Sequence, residues 1–366
     1  MKRAQRKLEH IKYALELGDG PRSTHFEDIR FLHNCLPEIN PADIVLSVEV
    51  FGKQLRLPFL IDAITGGTDA VTDVNAKLSQ AAAKLGIAMA VGSQYGAVRD
   101  GKGYASYDVV RKYNPDGVVL ANISALATPA QAHEAVKMLN ADALEVHFNP
   151  AQELFMGEGD KDFRGLLDNL LRIRDGVEVP VIVKETGCGI AAEEYARLKA
   201  QGFTNFNCAG AGGTNFPAIE AARYGKELAS DFAGWGLPTA WTLLDGAVTC
   251  NKGDFLIASG GIRNASDIAK AFALGADVVG MAGNVLRLVQ EGGVEAVTTY
   301  FEALAEQLTR YLLLLGAKTP KDLRKVPVIF SGETANYILY RYNCRHLCLD
   351  ALEIPNLTLP TSAHPI

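Results

Sequence analysis

No stretch of this 366-residue chain is apolar for long enough to cross a bilayer. The longest apolar run, "YLLLLGA" at 311–317, falls far short of the ~20 residues that a membrane-spanning helix needs. The opening "MKRAQRKLEH" has no apolar segment of the secretory kind. Positive charge is not in excess: the net charge is −6 and the isoelectric point near 5.7, so nothing pulls the whole molecule toward nucleic acid or an anionic membrane. Cysteine is sparse and scattered, at Cys35, Cys188, Cys208, Cys250, Cys344 and Cys348. Without the framework of a small secreted scaffold these read as reduced thiols of a cytoplasmic protein. "CRHLC" at 344–348 lacks a second ligand pair, which favours incidental thiols over a metal site.

What the chain does have is material for a core. It is 48% hydrophobic and 21% charged, in the range of a soluble globular enzyme. One unit recurs: an amphipathic helix, a Gly or Asn stop, then a short apolar strand. "AKLSQAAAKLG" leads into "IAMAVGS", and "ASDIAKAFALGAD" into "VVGMAGN". Gly86, Gly202, Gly275 and Asn140 stand where a left-handed helix stop is wanted. Eight strands are expected, at 59–65, 87–93, 118–124, 143–149, 179–186, 203–210, 254–261 and 277–283. Helical segments between them point to a TIM (β/α)8 barrel, an α/β fold, rather than an open doubly wound sheet. Residues 1–57 are expected to form a basic arm and a barrel-floor hairpin turning at Gly52-Lys53, and 58–316 the barrel. The hairpin spans 44–58, and 294–315 is expected as one long helix. Residues 317–366 read as a helical, then irregular extension of the same single domain, its end "PNLTLPTSAHPI" mobile.

In such barrels chemistry sits at the C-terminal ends of the strands. Those ends are polar or glycine-rich almost throughout. "SGGIR" at 259–263 offers exposed backbone N–H groups before a helix start, with Ala282-Gly283 and Gly212-Gly213-Thr214 beside it. Each alone is an ordinary turn; together they read as a phosphate cradle. Lys184 ends a strand buried on both faces, so it either reaches for the rim or meets an anion. "EVHFNPAQE" at 145–153 packs His147, Asn149, Gln152 and Glu153 into one strand end. Glu153 is either a solvated loop acid or a single carboxylate for Mg2+ shared with phosphate oxygens. Arg6, Lys7 and His10 can share one side of a helical turn, as a solvated helix start or as a clamp on a second anion.

In their order along the chain "RKLEH", "AITGG", "GSQ", "HFNPAQE", "VIVKETGCG", "AGAGGTNF", "SGGIR" and "MAG" resemble the type II isopentenyl-diphosphate delta-isomerase family. The resemblance runs from about Arg6 to about residue 330. It implies a flavoprotein barrel that interconverts isopentenyl and dimethylallyl diphosphate with FMN, Mg2+ and NADPH as reductant. It also implies a homo-oligomer, a tetramer or octamer. By the same resemblance Ala63, Ile64, Thr65, Ser93 and Asn122 would line the flavin, with Lys184 at its pyrimidine edge. Thr214, Gly260, Gly261, Ile262, Ala282 and Gly283 would hold its phosphate. Arg6, Lys7, His10, Ser93, Gln94, Tyr95, His147, Asn149 and Gln152 would take the substrate, and Glu153 the metal.

Two positions depart from the family pattern. Tyr95 stands where a basic residue is common, and Ala209 where many members carry serine. No acid/base pair is obvious among the residues facing a prenyl tail, so the flavin's reduced N5 is expected to carry the protons, with Gln152 supporting. A flavin-dependent 2-hydroxyacid oxidase is the alternative, but "FLIASGGIRNAS" lacks the histidine base such chemistry needs. A non-catalytic phosphate-binding barrel would leave the Gln-Glu cluster and the basic start without a task.

Overall fold

The computed structural model describes residues 3–342. Lys2, Cys344, Cys348 and the expected tail "PNLTLPTSAHPI" lie outside the described residues. The eight expected strands form one closed parallel barrel. They are β1 (Phe59–Ile61), β2 (Ala88–Ala90), β3 (Val119–Ser124), β4 (Ala143–His147), β5 (Val181–Lys184), β6 (Asn205–Asn207), β7 (Phe255–Ser259) and β8 (Val278–Met281). Each lies inside its expected range and is shorter, because the chain leaves the ladder early to build loops over the mouth. β6 pairs with β7 and β8 with β1, so the sheet has no free edge.

Alternation along the strands sorts the residues. Outward positions such as Leu144, Val146, Val183 and Phe206 pack under the helices. Inward positions at the N-terminal end are apolar: Leu60, Ala88, Leu120, Ala143, Ile182, Ile257 and Val278. One inward step further on, the residues become Asp62, Asn122, Glu145, Lys184, Asn207 and Ser259, all buried. The barrel is therefore oily at one end and polar at the other, and the polar end faces the mouth.

Helix ends follow local chemistry. Thr128 and Gln131 form a reciprocal capping box on the helix Pro129–Leu139, which opens on proline and ends at Asn140 with φ 44°. The floor hairpin pairs Val48–Val50 with Lys53–Leu55. Its turn is Phe51-Gly52, with φ of 49° and 77°, rather than Gly52-Lys53. A two-residue turn of this hand needs positive φ at both positions, and here a phenylalanine accepts it. In exchange the Phe51 ring meets Phe255 at 5.1 Å and Val50 and Leu55 close the apolar end.

After β8 the helix Gly283–Leu315 is interrupted at Gly293 (φ 62°, ψ −147°). The expected helix from 294 is its second limb; the first limb grows straight out of β8 and points its start at the mouth. Two strands escape any sequence periodicity: Ile29–Phe31 pairs antiparallel with Val328–Phe330. This clasp ties the arm to the chain's later part. Asp28 reinforces it, because its Oδ2 accepts from the Thr334 backbone N–H and hydroxyl, both at 3.0 Å, in the first turn of the helix Gly332–Tyr342. His25 lies 3.0 Å from the same carboxylate.

Asp28→Ala should therefore behave as a lost helix cap and lower stability by about 1–2 kcal/mol, read as a reduced urea or thermal midpoint. An unchanged midpoint would show the clasp to be idle.

Candidate functional site

The polar layer at the mouth is one hydrogen-bonded chain. Lys184 Nζ contacts Asp62 Oδ2 at 2.9 Å. Asn207 Nδ2 donates to Glu145 Oε1 at 2.9 Å and reaches Asp62 at 3.3 Å. Asn122 Nδ2 donates to Glu145 Oε2 at 2.8 Å, its Oδ1 lies 2.9 Å from His147 Nδ1, and Ser259 Oγ donates to Asn207 Oδ1 at 2.6 Å. Five strands and the residue after β1 thus contribute to a network in which the buried polar atoms satisfy one another, as they must in a low-dielectric interior.

The electrostatics follow from burial and pairing. Burial alone would lower the Lys184 ammonium, but Asp62 and then Glu145 outweigh it and raise it above its usual value. Burial alone would raise Asp62, yet Lys184 holds it below the normal carboxylate range. For Glu145 burial dominates, Lys184 opposes, Asp62 adds, and the result is about 7. Burial, with Lys7 and Lys184 adding, pushes His147 down to about 3. A neutral His147 with its Nδ1–H on Asn122 presents a bare Nε2.

A second cluster is a cradle of backbone. A Cβ on Gly213 would lie 2.5 Å from the Gly261 nitrogen, and one on Gly283 3.0 Å from Thr214 Oγ1. The loops after β6, β7 and β8 therefore meet at one point. The helix starting at Gly283 has no side-chain cap, so its first N–H groups face outward to whatever binds there. In the loop after β1, the strand that pairs with β8, the Thr65 hydroxyl is buried with no hydrogen-bond partner. An orphaned donor, an uncapped helix start and a glycine cradle fit the ring and phosphate of FMN. Ala63 and Ile64 lie half-buried beside Thr65, and the Ala63 N–H is tied to Asp62 at 2.7 Å. Ile262 is fully buried, so only its backbone can serve the cradle.

Over the mouth lies a crown of helices: Arg3–Leu17, Pro150–Phe155 and Phe216–Arg223. The first carries the basic arm across its own chain. His10 Nε2 sits 2.9 Å from Glu220 Oε1, which also accepts from Gln152 Nε2 at 2.9 Å. Burial, only partly offset by Glu220, keeps His10 below its ordinary value. Lys7 lies close enough to depress His147, which brings the arm and β4 together. Arg6 instead contacts Glu158 at 3.4 Å. Asn149 Nδ2 donates to Gln152 at 3.0 Å and Glu153 Oε1 at 3.1 Å, and Glu153 Oε2 accepts the Asp160 N–H at 2.9 Å. Among the described residues no group of three or more His, Cys, Asp or Glu could hold a metal. A cation at Glu153 would have one protein carboxylate and otherwise ligand or water oxygens, which fits Mg2+.

Several expectations need correcting. Gln94 does not face a substrate: it is fully buried, donates to Ala135 O at 2.9 Å and accepts the Asn122 N–H at 2.9 Å. Asn122 spends both ends of its amide inside the buried chain, on Glu145 and His147, so its side chain belongs to the polar layer under the mouth. Tyr95 begins the helix Tyr95–Asp100, and the Arg99 guanidinium stands 5.8 Å over its ring while it pairs with Asp100 at 2.9 Å. Ser93 accepts the Tyr107 hydroxyl at its carbonyl, at 2.7 Å. Ala209 sits at φ 37°, in the buried start of the glycine loop. Asp62, Glu145, Asn207 and Glu220 were missed. Counting inward positions by twos from Leu60, Ala143 and Asn205 would have found the first three; nothing local marks Glu220.

Residues 121–328 match the model of the FMN-dependent dehydrogenase family. An isopentenyl-diphosphate delta-isomerase of Geobacillus sp. strain WCH70 is 44% identical over 352 residues, 94% of this chain and all of the relative. That of Moorella thermoacetica is 43% identical over 92% of this chain and 96% of its own. Among solved structures a Pediococcus acidilactici lactate oxidase aligns with a TM-score of 0.66 at 20% identity, over 90% of this chain and 92% of that one, a likeness of fold. An (S)-mandelate dehydrogenase aligns at 0.60 and 17%, over 87% and 94%. The chain is a member of the FMN-dependent, type II isopentenyl-diphosphate delta-isomerase family.

Proposed function

We propose that this chain interconverts isopentenyl and dimethylallyl diphosphate with reduced FMN, using Mg2+ on the diphosphate and NADPH as reductant. The observation that carries the reading is a fixed buried cation, Lys184, in the same mouth as a glycine cradle and a basic helix. One mouth thus offers places for two anions, a flavin and a diphosphate. The free cysteines among the described residues, Cys35, Cys188, Cys208 and Cys250, and the acidic balance support a cytoplasmic protein. Among the described residues no helix is long and apolar enough to cross a membrane. We read it also as a homo-oligomer, a tetramer or octamer.

Bound reduced FMN supplies a ring nitrogen, N5, that can give and take the proton by which a double bond moves one carbon. Everything else falls to the chain. Asp62 holds Lys184 in place, so a cation faces the negative edge of the reduced ring in a site where charge is poorly screened. Thr65 and the Gly213, Gly261 and Gly283 amides orient ring and phosphate. Lys7, His10, Asn149 and Ser93 take the diphosphate, with His147 lying beside it as a neutral ring. Arg6 would join them by leaving Glu158. Gln152 is held between Asn149 and Glu220, at the edge where the prenyl group would lie. Glu153 holds the metal on diphosphate oxygens and takes no part in the proton step.

A direct test is turnover in heavy water with anaerobically reduced enzyme: the prenyl product should carry solvent deuterium, and product free of it would overturn the proton route. Glu153→Gln should raise the Mg2+ requirement at least about tenfold, about 1.4 kcal/mol, while FMN stays bound. Loss of flavin from that variant would make Glu153 structural. Gly213→Ala puts a methyl against the Gly261 backbone and should weaken FMN binding about tenfold or more, with circular dichroism unchanged. Undiminished flavin affinity in fluorescence titration would move the phosphate elsewhere.

A further inference from the structure

The buried chain holds one cation and two carboxylates, all three shielded from water. Lys184 contacts Asp62, whereas Glu145 offers its oxygens to two neutral amides, those of Asn207 and Asn122. If both carboxylates are ionised, the interior carries a net negative charge with nothing to balance it. Two carboxylates sharing one ammonium in a low-dielectric site do not both ionise readily; one keeps its proton. Contact decides which. Asp62 has the ammonium and the Ala63 N–H; Glu145 has neither.

The groups facing Glu145 come from every neighbouring strand. They are Asp62 beyond β1, Asn122 of β3, Lys184 of β5 and Asn207 of β6, with His147 two residues on in its own strand. His147 is held neutral by burial, and burial pushes the Cys208 thiol, near Lys184, up to about 11, so neither changes the balance.

We propose that Glu145 is a positioning residue that holds a proton beneath the cofactor, releasing or regaining it as the charge above Lys184 changes. The proposal rests on the flavin reading of the mouth. With a neutral oxidised ring above, the attraction of Lys184 is shared by Asp62 and Glu145, and Glu145 gives up its proton more easily. An anionic reduced ring draws on the same cation, so Glu145 holds its proton more tightly and takes one from solvent if it had none. The ring's two electrons come from the reductant; the proton at Glu145 balances part of the added charge. Because burial, Lys184 and Asp62 together place Glu145 at about 7, this exchange falls near neutral pH.

The sign is fixed. Ionised Glu145 adds negative charge below the ring, disfavours the anionic reduced form and lowers the midpoint potential. Wild-type potential should therefore fall more steeply through the neutral range than that of Glu145→Gln, whose side chain stays uncharged. The two should coincide near pH 5.5 and diverge toward about pH 9, with the variant higher. Parallel profiles across that range would overturn the proposal. A second measurement is the reduced-minus-oxidised infrared difference spectrum of wild type at about pH 8, which should gain a protonated-carboxyl C=O band that shifts in heavy water. Glu185, which burial also raises to about 7, is told apart by Glu185→Gln, which should keep the band. Absence of the band from wild type, or its loss in Glu185→Gln, would overturn the proposal even if Glu145→Gln failed to fold. Neither measurement reads isomerase activity, so an FMN-binding protein without that activity contradicts the proposed function and leaves this inference standing. A protein that takes up no FMN overturns both.

Discussion

The contact between Lys184 and Asp62 is the constraint around which the barrel mouth is arranged. A cation inside a parallel barrel is tolerated only if paired and hydrogen-bonded, because removing one partner leaves a buried charge uncompensated at a penalty of about 3–5 kcal/mol. Replacing the pair with apolar side chains would commonly be neutral or better for stability. The pair is therefore poorly explained by folding alone. Asn207, Glu145, Asn122 and Ser259 follow as its supports: each satisfies a neighbour that the ion pair alone would leave short of a partner.

The crown obeys the same logic on the outside. Glu220 is buried among His10, Gln152 and Arg223, so the arm, the helix after β4 and the helix after β6 share a single carboxylate. The basic helix is held there by the contacts of Arg6 with Glu158 and His10 with Glu220. Glu158, the partner of Arg6, is held low by other groups: burial would raise it, but the Tyr224 hydroxyl and Arg223 hold it at about 2.

The barrel was legible because its code is periodic: short apolar strands, helices with stops, and glycines after the late strands. Boundaries were not, since β1 and β6 keep apolar or strand-like residues past the point where the ladder ends. The cradle was legible because several glycine-rich loops rarely serve packing. Asp62 and Glu145 were harder to see: each is a single acid in an apolar strand, and only the inward parity of its neighbours gives it meaning. Glu220 has no such parity, as it lies on an excursion from the barrel and meets the site through long-range packing. The Ile29–Phe31 clasp is invisible for the same reason, because three residues are too few to show a period.

If the mouth is built to keep a reduced flavin beside a diphosphate, the reaction leaves the cofactor as it found it. The most direct measurement is the amount of NADPH consumed per prenyl diphosphate isomerised, under strict exclusion of oxygen. The account predicts consumption that tracks the amount of enzyme and stays flat as product accumulates. One NADPH spent for each product molecule would contradict it and turn the site into that of an oxidoreductase.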